Sequence, residues 1–197
     1  MKRVPPLPPP IDPDPSGGSP AADTASSGVL AGLRVAVTRP TDQSAHLAEL
    51  LANLGATVIR EPLIAIESPD DTSVIDEAIG RLDWFDWLVF SSANGASRFL
   101  DRMKELERPV PELEKPRIAA VGRATEAAVR KRGGRVDLVP ERFVAESLVE
   151  AFRAKVRIAG TRVLIARAAD ARDTIPAGLA REGALVETVD LYRTVAR

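Results

Sequence analysis

From Leu33 onward, short runs of β-branched and apolar residues alternate with stretches of helical periodicity, and this rhythm constrains the fold more than any other feature. Leu33–Thr38 (LRVAVT) reads as a buried strand. Asp42–Leu54 then places Leu47, Leu50, Leu51 and Leu54 at i, i+3, i+4 and i+7, one face of a helix. Gly55 ends that helix as its C′ residue, and Thr57–Arg60 resumes as a strand. The alternation continues with strand Trp87–Phe90 and a helix from Ser92 to about Met103, then strand Arg117–Val121 and helix Ala124–Lys131. Strand Val136–Val139, helix Ala145–Ala154, strand Arg162–Ala166, helix Arg172–Arg181 and strand Leu185–Val189 complete it. Strands separated by single helices must run parallel, because a right-handed crossover is the route back to the same sheet edge. The expected class is therefore α/β, with open Rossmann-like parallel sheets.

An internal match sharpens that picture. Residues 34–63 begin Arg-Val, reach Arg39 at the strand end and show Gly55-Ala56-x-Val58 before Leu63. Moving 128 positions along gives Arg162-Val163, Arg167, Gly183-Ala184-x-Val186 and Leu191, with Leu51-Ala52 matched by Leu179-Ala180. One reading is that βαβ units converge on Gly-Ala-x-Val after a helix. The other is two related lobes, each owning one such unit. The polar, proline-bearing stretch Ala65–Thr72 (AIESPDDT) suits a crossing linker. The expected division is a βαβ unit at 31–64, a linker at 65–72, a second lobe at 73–189 and a return linker strand at 190–197. Two strands and one helix bury no core alone, so the first unit either docks on the second lobe or lacks the residues that complete it.

The first thirty residues follow another logic. They hold half of the sixteen prolines and few apolar side chains to offset the entropy of ordering, so a disordered, polyproline-like tail is expected. Pro5-Pro6-Leu7-Pro8 suits a proline-recognising module, though a passive tail or linker is the better reading of such composition. Lys2 and Arg3 are not followed by the apolar stretch of a signal peptide, and no run of about 20 apolar residues is present, so a cytoplasmic chain without membrane association is expected. Near-neutral charge, 28 acidic against 27 basic residues, argues against a broad nucleic-acid footprint. With no cysteine and one histidine, His46, thiolate chemistry and multi-histidine metal sites are excluded, and a Ser/His/Asp triad has little room. The chain must work with hydroxyls, arginines, carboxylates and backbone amides.

Ligands of open parallel sheets sit beyond the carboxyl ends of strands, where helix N-termini present unpaired N–H groups. Those positions are Thr38-Arg39-Pro40, Ser91-Ser92-Ala93-Asn94-Gly95, Gly122-Arg123-Ala124-Thr125, Pro140-Glu141-Arg142 and Arg167. Each supplies a small or hydroxyl residue, an arginine or both, and together they suggest a groove for a polyanion. Taken singly, Ser91, Ser92 and Thr125 are also what helix caps require. The G-x-G-x-x-G fingerprint fails after Gly122 and no P-loop is present, which disfavours a nucleotide-dependent enzyme. Asp70-Asp71 and Asp170/Asp173 are possible carboxylate pairs, His46 reads as a solvated surface residue, and the Trp84-Phe85-Asp86-Trp87 cluster reads as packing.

The order and spacing of these loops resemble the uroporphyrinogen-III synthase family. The resemblance rests on Thr38-Arg39-Pro40 with Gln43, Gly55-Ala56-x-Val58 before Pro62-Leu63, Val89-Phe90-Ser91-Ser92-Ala93-Asn94-Gly95 and Ala120-Val121-Gly122-x-Ala124-Thr125. Ala145-Glu146-Ser147-Leu148, Arg167 and Leu191-Tyr192-Arg193-Thr194 extend it from about Leu33 to the end. It implies two flavodoxin-like lobes joined by a two-stranded linker, with the active site in the cleft between them. It implies a cofactor-free, metal-free lyase of tetrapyrrole (heme) biosynthesis, a monomer that cyclises hydroxymethylbilane with inversion of ring D. Tyr192 would be catalytic, near the departing hydroxyl. Arg39, Ser91, Ser92, Asn94, Gly122, Arg123, Thr125 and Arg167 would bind the substrate. Members of the family continue beyond the tyrosine strand to complete the first lobe, so this chain is expected to be weakly active or inactive by itself. The alternative is a non-catalytic polyanion- or tetrapyrrole-binding module of the same fold.

Overall fold

The structure, a computed structural model, describes residues 28–108 and 115–197. The proline-rich tail lies outside the described residues except for its last three positions. The first unit is strand β1 (Arg34–Val37), helix α1 (Thr41–Asn53) and strand β2 (Thr57–Arg60), with the two strands paired in parallel as a two-stranded sheet. Strand β3 (Ile64–Glu67) leads to helix α2 (Ser73–Gly80) and a 3-10 turn at Leu82–Trp84. Then follow β4 (Trp87–Phe90), α3 (Ala93–Glu105), β5 (Arg117–Ala120), α4 (Arg123–Arg130), α5 (Ala145–Lys155), β6 (Arg162–Ala168), α6 (Thr174–Arg181) and β7 (Leu185–Ala196).

The second sheet has the order β3-β7-β6-β4-β5. β4 runs parallel to both β5 and β6, and β6 runs parallel to β7. The α/β class and parallel pairing expected from the alternation are therefore present. β4 is buried along its whole length because helices cover both faces of the sheet. Leu88 and Phe90 join Ile79, Phe99 and Met103 on one face, while Trp87 and Val89 join Leu148, Phe152 and Leu179 on the other. This is the period of two that a pleated strand imposes. Trp87 stacks edge-on against Phe152 with ring centroids 4.9 Å apart, so the aromatic cluster does pack against a helix.

The repeat read from spacing is also a structural repeat. β1 pairs with β2 as Arg34↔Thr57 through Val37↔Arg60, and β6 pairs with β7 as Arg162↔Leu185 through Ile165↔Thr188, the same register 128 residues on. Gly55 and Gly183 end the two helices at φ +92° and +89°, a region that favours glycine. Each lies against the same partner of its copy, Ala31 in the first and Ala159 in the second. Gly32 and Gly160, also 128 apart, share a positive φ as well, so the match extends upstream of the strand.

Several elements differ from expectation, each for a visible reason. β1 is not buried: among the described residues α1 covers it on one side only, and the leucine face of α1 leaves Leu50 and Leu54 48% and 45% exposed. Val136–Val139 forms no regular strand but a single bridge, Leu138 to Ala119. The Asp137 carboxylate there takes the Ile118 N–H (2.9 Å) that a strand carbonyl would have taken. α6 begins at Thr174 rather than Arg172, behind an Asp173 whose carboxylate serves Arg167 instead of capping the helix. The stretch 65–72 contains most of β3, and 190–197 is no separate element: β7 runs on through it and pairs antiparallel with β3, Glu67↔Arg193 to Ile64↔Ala196. Helix α2 is an element the alternation did not reveal.

Candidate active site

In a doubly wound sheet the ligand crevice lies where successive crossovers part to opposite sides, beyond the carboxyl ends of the strands. Here the chain leaves β4 toward β5 on one side and later returns to β6 on the other, so the crevice lies between β4 and β6. β4 ends in Ser91-Ser92 and β6 ends at Arg167-Ala168.

Ser92 is the N-cap of α3, its Oγ accepting the Gly95 N–H at 3.0 Å. A Cβ at position 95 would stand 3.4 Å from the Ala166 carbonyl oxygen and 3.7 Å from a Leu191 methyl, so glycine lets α3 approach β6 and β7 closely. The same Ser92 Oγ lies 3.0 Å from the phenolic oxygen of Tyr192, a hydrogen bond in which either hydroxyl can donate. Tyr192 reaches it because the β6–β7 ladder slips by one residue. Arg167 faces Asp190, but Ala168 faces Tyr192, leaving Leu191 unpaired in a bulge. The extra residue breaks the alternation, so Leu191 and Tyr192 are both buried although adjacent. The Ala169 N–H donates to the Tyr192 carbonyl at 2.8 Å beyond the bulge. Beside the ring, a cavity of about 230 Å³ opens between Ser68-Pro69-Asp70 and Ala169, Asp190 and Tyr192.

The other expected residues divide into three groups. Asn94 meets helix α1 of the first unit directly: Gln43 Nε2 donates to Asn94 Oδ1 at 3.0 Å, bridging α1 and α3. Arg39 is exposed at the end of β1, and Ser91 is half-buried beside Ser92. Gly122 is the N-cap of α4, packed so closely that a Cβ would meet the Phe143 Cβ at 3.0 Å. Arg123 is exposed and carries its guanidinium over the Phe143 ring at 5.7 Å. Thr125 is buried in the first turn of α4.

Arg167 departs most from a free anion receptor. Its guanidinium donates to Asp173 (2.6 Å) and Asp190 (3.2 Å), and its side chain is 14% exposed. Hydrogen bonding to Asp173 foremost, then to Asp190, holds its pKa above the ordinary arginine value. The expectation of a carboxylate-gripping Arg167 thus meets a residue already satisfied by its own chain. Ser68, Gln43 and Arg98, which touch the same loops, were not singled out as site residues. Gln43 belongs with the Thr38-Arg39-Pro40 motif but its contact with Asn94 spans 51 residues, and the Arg98–Ser68 contact spans 30 with no local spacing to signal it. His46 is exposed, as expected. Among the described residues, no group of three or more acidic or histidine side chains is set to hold a metal ion, and no helix is long and apolar enough to cross a membrane.

Comparison with known proteins gives the chain its family and fold relatives. The family described as uroporphyrinogen-III synthase HemD matches residues 45–197. Uroporphyrinogen-III synthase of Synechococcus elongatus is 35% identical over 166 residues, covering 84% of this chain and 62% of that protein. The porphyrin biosynthesis protein HemD of Ruminiclostridium josui is 29% identical over 165 residues, 84% of this chain and 32% of that one. The chain therefore spans less than two thirds of the length of these curated relatives. Among solved structures, a mutant uroporphyrinogen III synthase of Thermus thermophilus shares the fold at a TM-score of 0.62. Its identity is 19%, and the match covers 84% of this chain and 64% of that one.

Proposed function

The chain belongs to the uroporphyrinogen-III synthase family, and from that premise we propose that it cyclises hydroxymethylbilane to uroporphyrinogen III, inverting ring D, as a monomeric, cofactor-independent cytoplasmic lyase. In this reading the first unit (31–64) and the second lobe (73–189), joined by 65–72 and 190–197, flank a cleft that holds the linear tetrapyrrole by its carboxylates.

The observation that carries the proposal is the Tyr192–Ser92 hydrogen bond, 3.0 Å long, at the switch point of the sheet. A phenol donates a hydrogen bond at neutral pH, and a positioned donor assists loss of a hydroxyl that needs a proton to leave. Tyr192 donates toward the oxygen of the hydroxymethyl group, which ring A carries at the opposite end of the chain from ring D. The C–O bond breaks as the ring A pyrrole nitrogen supplies its electron pair, and the oxygen departs as water. The azafulvene left behind attacks the substituted carbon of ring D, and rearrangement of the spiro intermediate followed by loss of a proton gives the inverted ring. Ser92 orients the phenol, and its own cap bond to Gly95 keeps the serine in place.

Arg39 and Arg123 supply guanidinium groups for substrate acids, bidentate where the geometry permits. The amides following Ser91 and Gly122 open α3 and α4 and add the positive ends of two helices. Asn94 joins them from α3, and Thr125 supports the α4 turn from beneath. Arg167 takes part by holding the strand end beside Tyr192, reaching a substrate acid only on releasing Asp173 or Asp190. Holding the reactive chain in one conformation favours the substituted carbon over the free one.

Incubating the 197-residue chain with hydroxymethylbilane tests the proposal. Type III isomer above the spontaneous type I background is the expected result. Type I alone, with tetrapyrrole still bound, would instead fit a binding module of the same fold.

A further inference from the structure

Arg98 belongs to none of the roles above, yet it touches the reacting centre from the side. It lies within α3, six residues past Ser92, and its guanidinium stands 5.8 Å from the centroid of the Tyr192 ring. Its NH1 donates to the Ser68 hydroxyl and its NH2 to the Ile66 carbonyl at 3.4 Å. Both acceptors are neutral. Arg102, one turn on, is by contrast bidentate to the Asp76 carboxylate. A cation close to an aromatic ring is drawn to its negative face, and anchoring the guanidinium elsewhere fixes where that attraction acts. Tyr192, packed in the core, then has two directed contacts as well, its hydroxyl with Ser92 and its ring with Arg98.

We propose that Arg98 is a positioning residue for Tyr192: anchored on the end of β3 through Ser68 and Ile66, its guanidinium braces the tyrosine ring and keeps the hydroxyl on Ser92. This rests on the reading of Tyr192 as proton donor and adds that the donor's aim depends on the strand connecting the two units. A shift of β3 against α3 withdraws the acceptors of Arg98 and loosens the ring.

Tyr192 is the single tyrosine of the chain, so ring-¹³C tyrosine labelling reports on this residue alone. The full chain is compared with Arg98→Met, which keeps an apolar stem, with Arg98→Lys, which returns a cation, and with Ser68→Ala, which removes one anchor. For Arg98→Met the ring resonances are expected to shift and broaden. The kcat for type III isomer falls about fivefold, some 1 kcal/mol, with KM changed less than twofold. Arg98→Lys recovers most of the kcat, and Ser68→Ala moves the ring signals in the same direction by less. Unchanged ring signals in Arg98→Met overturn the proposal, and so does a rise in KM at constant kcat, which would make Arg98 a substrate contact. Should the wild-type chain form no type III isomer, the proposed reaction fails, while the ring spectrum still decides the role of Arg98.

Discussion

Arg39 and Arg167 close the first strands of two units built on one register, and their surroundings could hardly differ more. Arg167 is gripped by Asp173 and Asp190. At the positions 128 residues earlier the first unit carries Ala45 and Pro62, and Arg39 is exposed. Where the second unit has Tyr192, the first has Ile64. Both copies keep the backbone of the motif: the same strand pairing, the same positive-φ glycines, the same helix-ending turns. What diverged are the side chains at the carboxyl ends. One copy has its arginine bonded to Asp173 and Asp190 beside the strand that carries the tyrosine, and the other has its arginine exposed, which the proposed function assigns to a ligand. On the proposed reading, two copies of one βαβ scaffold separate positioning from recognition, the second copy adding the bulge after Arg167.

Matched substitutions break or sharpen this comparison. Leu179 is fully buried beneath the second sheet, and its counterpart Leu51 is half-buried on α1. Leu179→Ala is expected to cost about 3 kcal/mol and Leu51→Ala about 1 kcal/mol, read from urea midpoints. Equal losses would mean that the first unit shares a core as complete as the second. Next come the arginines. Arg39→Gln should leave stability within about 0.3 kcal/mol while raising KM roughly tenfold, the loss of a charge-assisted contact. Arg167→Gln should do the reverse, costing about 1 kcal/mol through two part-exposed ion pairs. If both arginines behave alike, the division of labour is wrong.

The smallest effect lies at the opposite end of the strands. Arg162 donates side-chain and backbone hydrogen bonds to Asp86, whereas its counterpart Arg34 is exposed. The Arg162 side chain first, then its backbone N–H, holds the Asp86 carboxyl below the usual carboxylate range. A group lowered in the folded state contributes stability above its unfolded pKa and loses it as pH falls through the folded one. Stability should therefore decline as pH falls through and below the ordinary carboxylate range, and Asp86→Asn should flatten that decline while lowering stability at pH 7 by about 1 kcal/mol. An acid profile identical to wild type would remove Asp86 from this role.

Much of the scaffold was legible because it is written in local periods. The offset of 128 residues, the glycines after each helix and the all-apolar Trp87–Phe90 run each follow from steric rules acting over a few residues. The site was legible only in part. Ser92 reads as a cap from its neighbours, but its second partner lies 100 residues away. The bulge that aims Tyr192 leaves no trace beyond two adjacent apolar residues, Leu191 and Tyr192, where alternation predicts one in and one out. Arg167 reads as an anion receptor because its acids sit at unrelated spacings, on a helix approach and on the neighbouring strand. The short helix α2 (SVIDEAIG) lacks a long apolar stripe, and the strand expected at Val136–Val139 was lost to a side-chain carboxylate acting in place of a ladder carbonyl.

The claim on which the rest depends is that the hydroxyl held by Ser92, and not the fold alone, starts ring closure by assisting loss of the substrate's hydroxyl. Tyr192→Phe removes one oxygen from a buried ring, and Ile64→Val removes one methylene at the matching position of the first unit. Isomer analysis of the products from hydroxymethylbilane, with all chains equally folded by circular dichroism, decides the matter. The type III yield of Tyr192→Phe should fall roughly a hundredfold while Ile64→Val stays within about twofold of wild type. A Tyr192→Phe chain as productive as wild type would contradict the account.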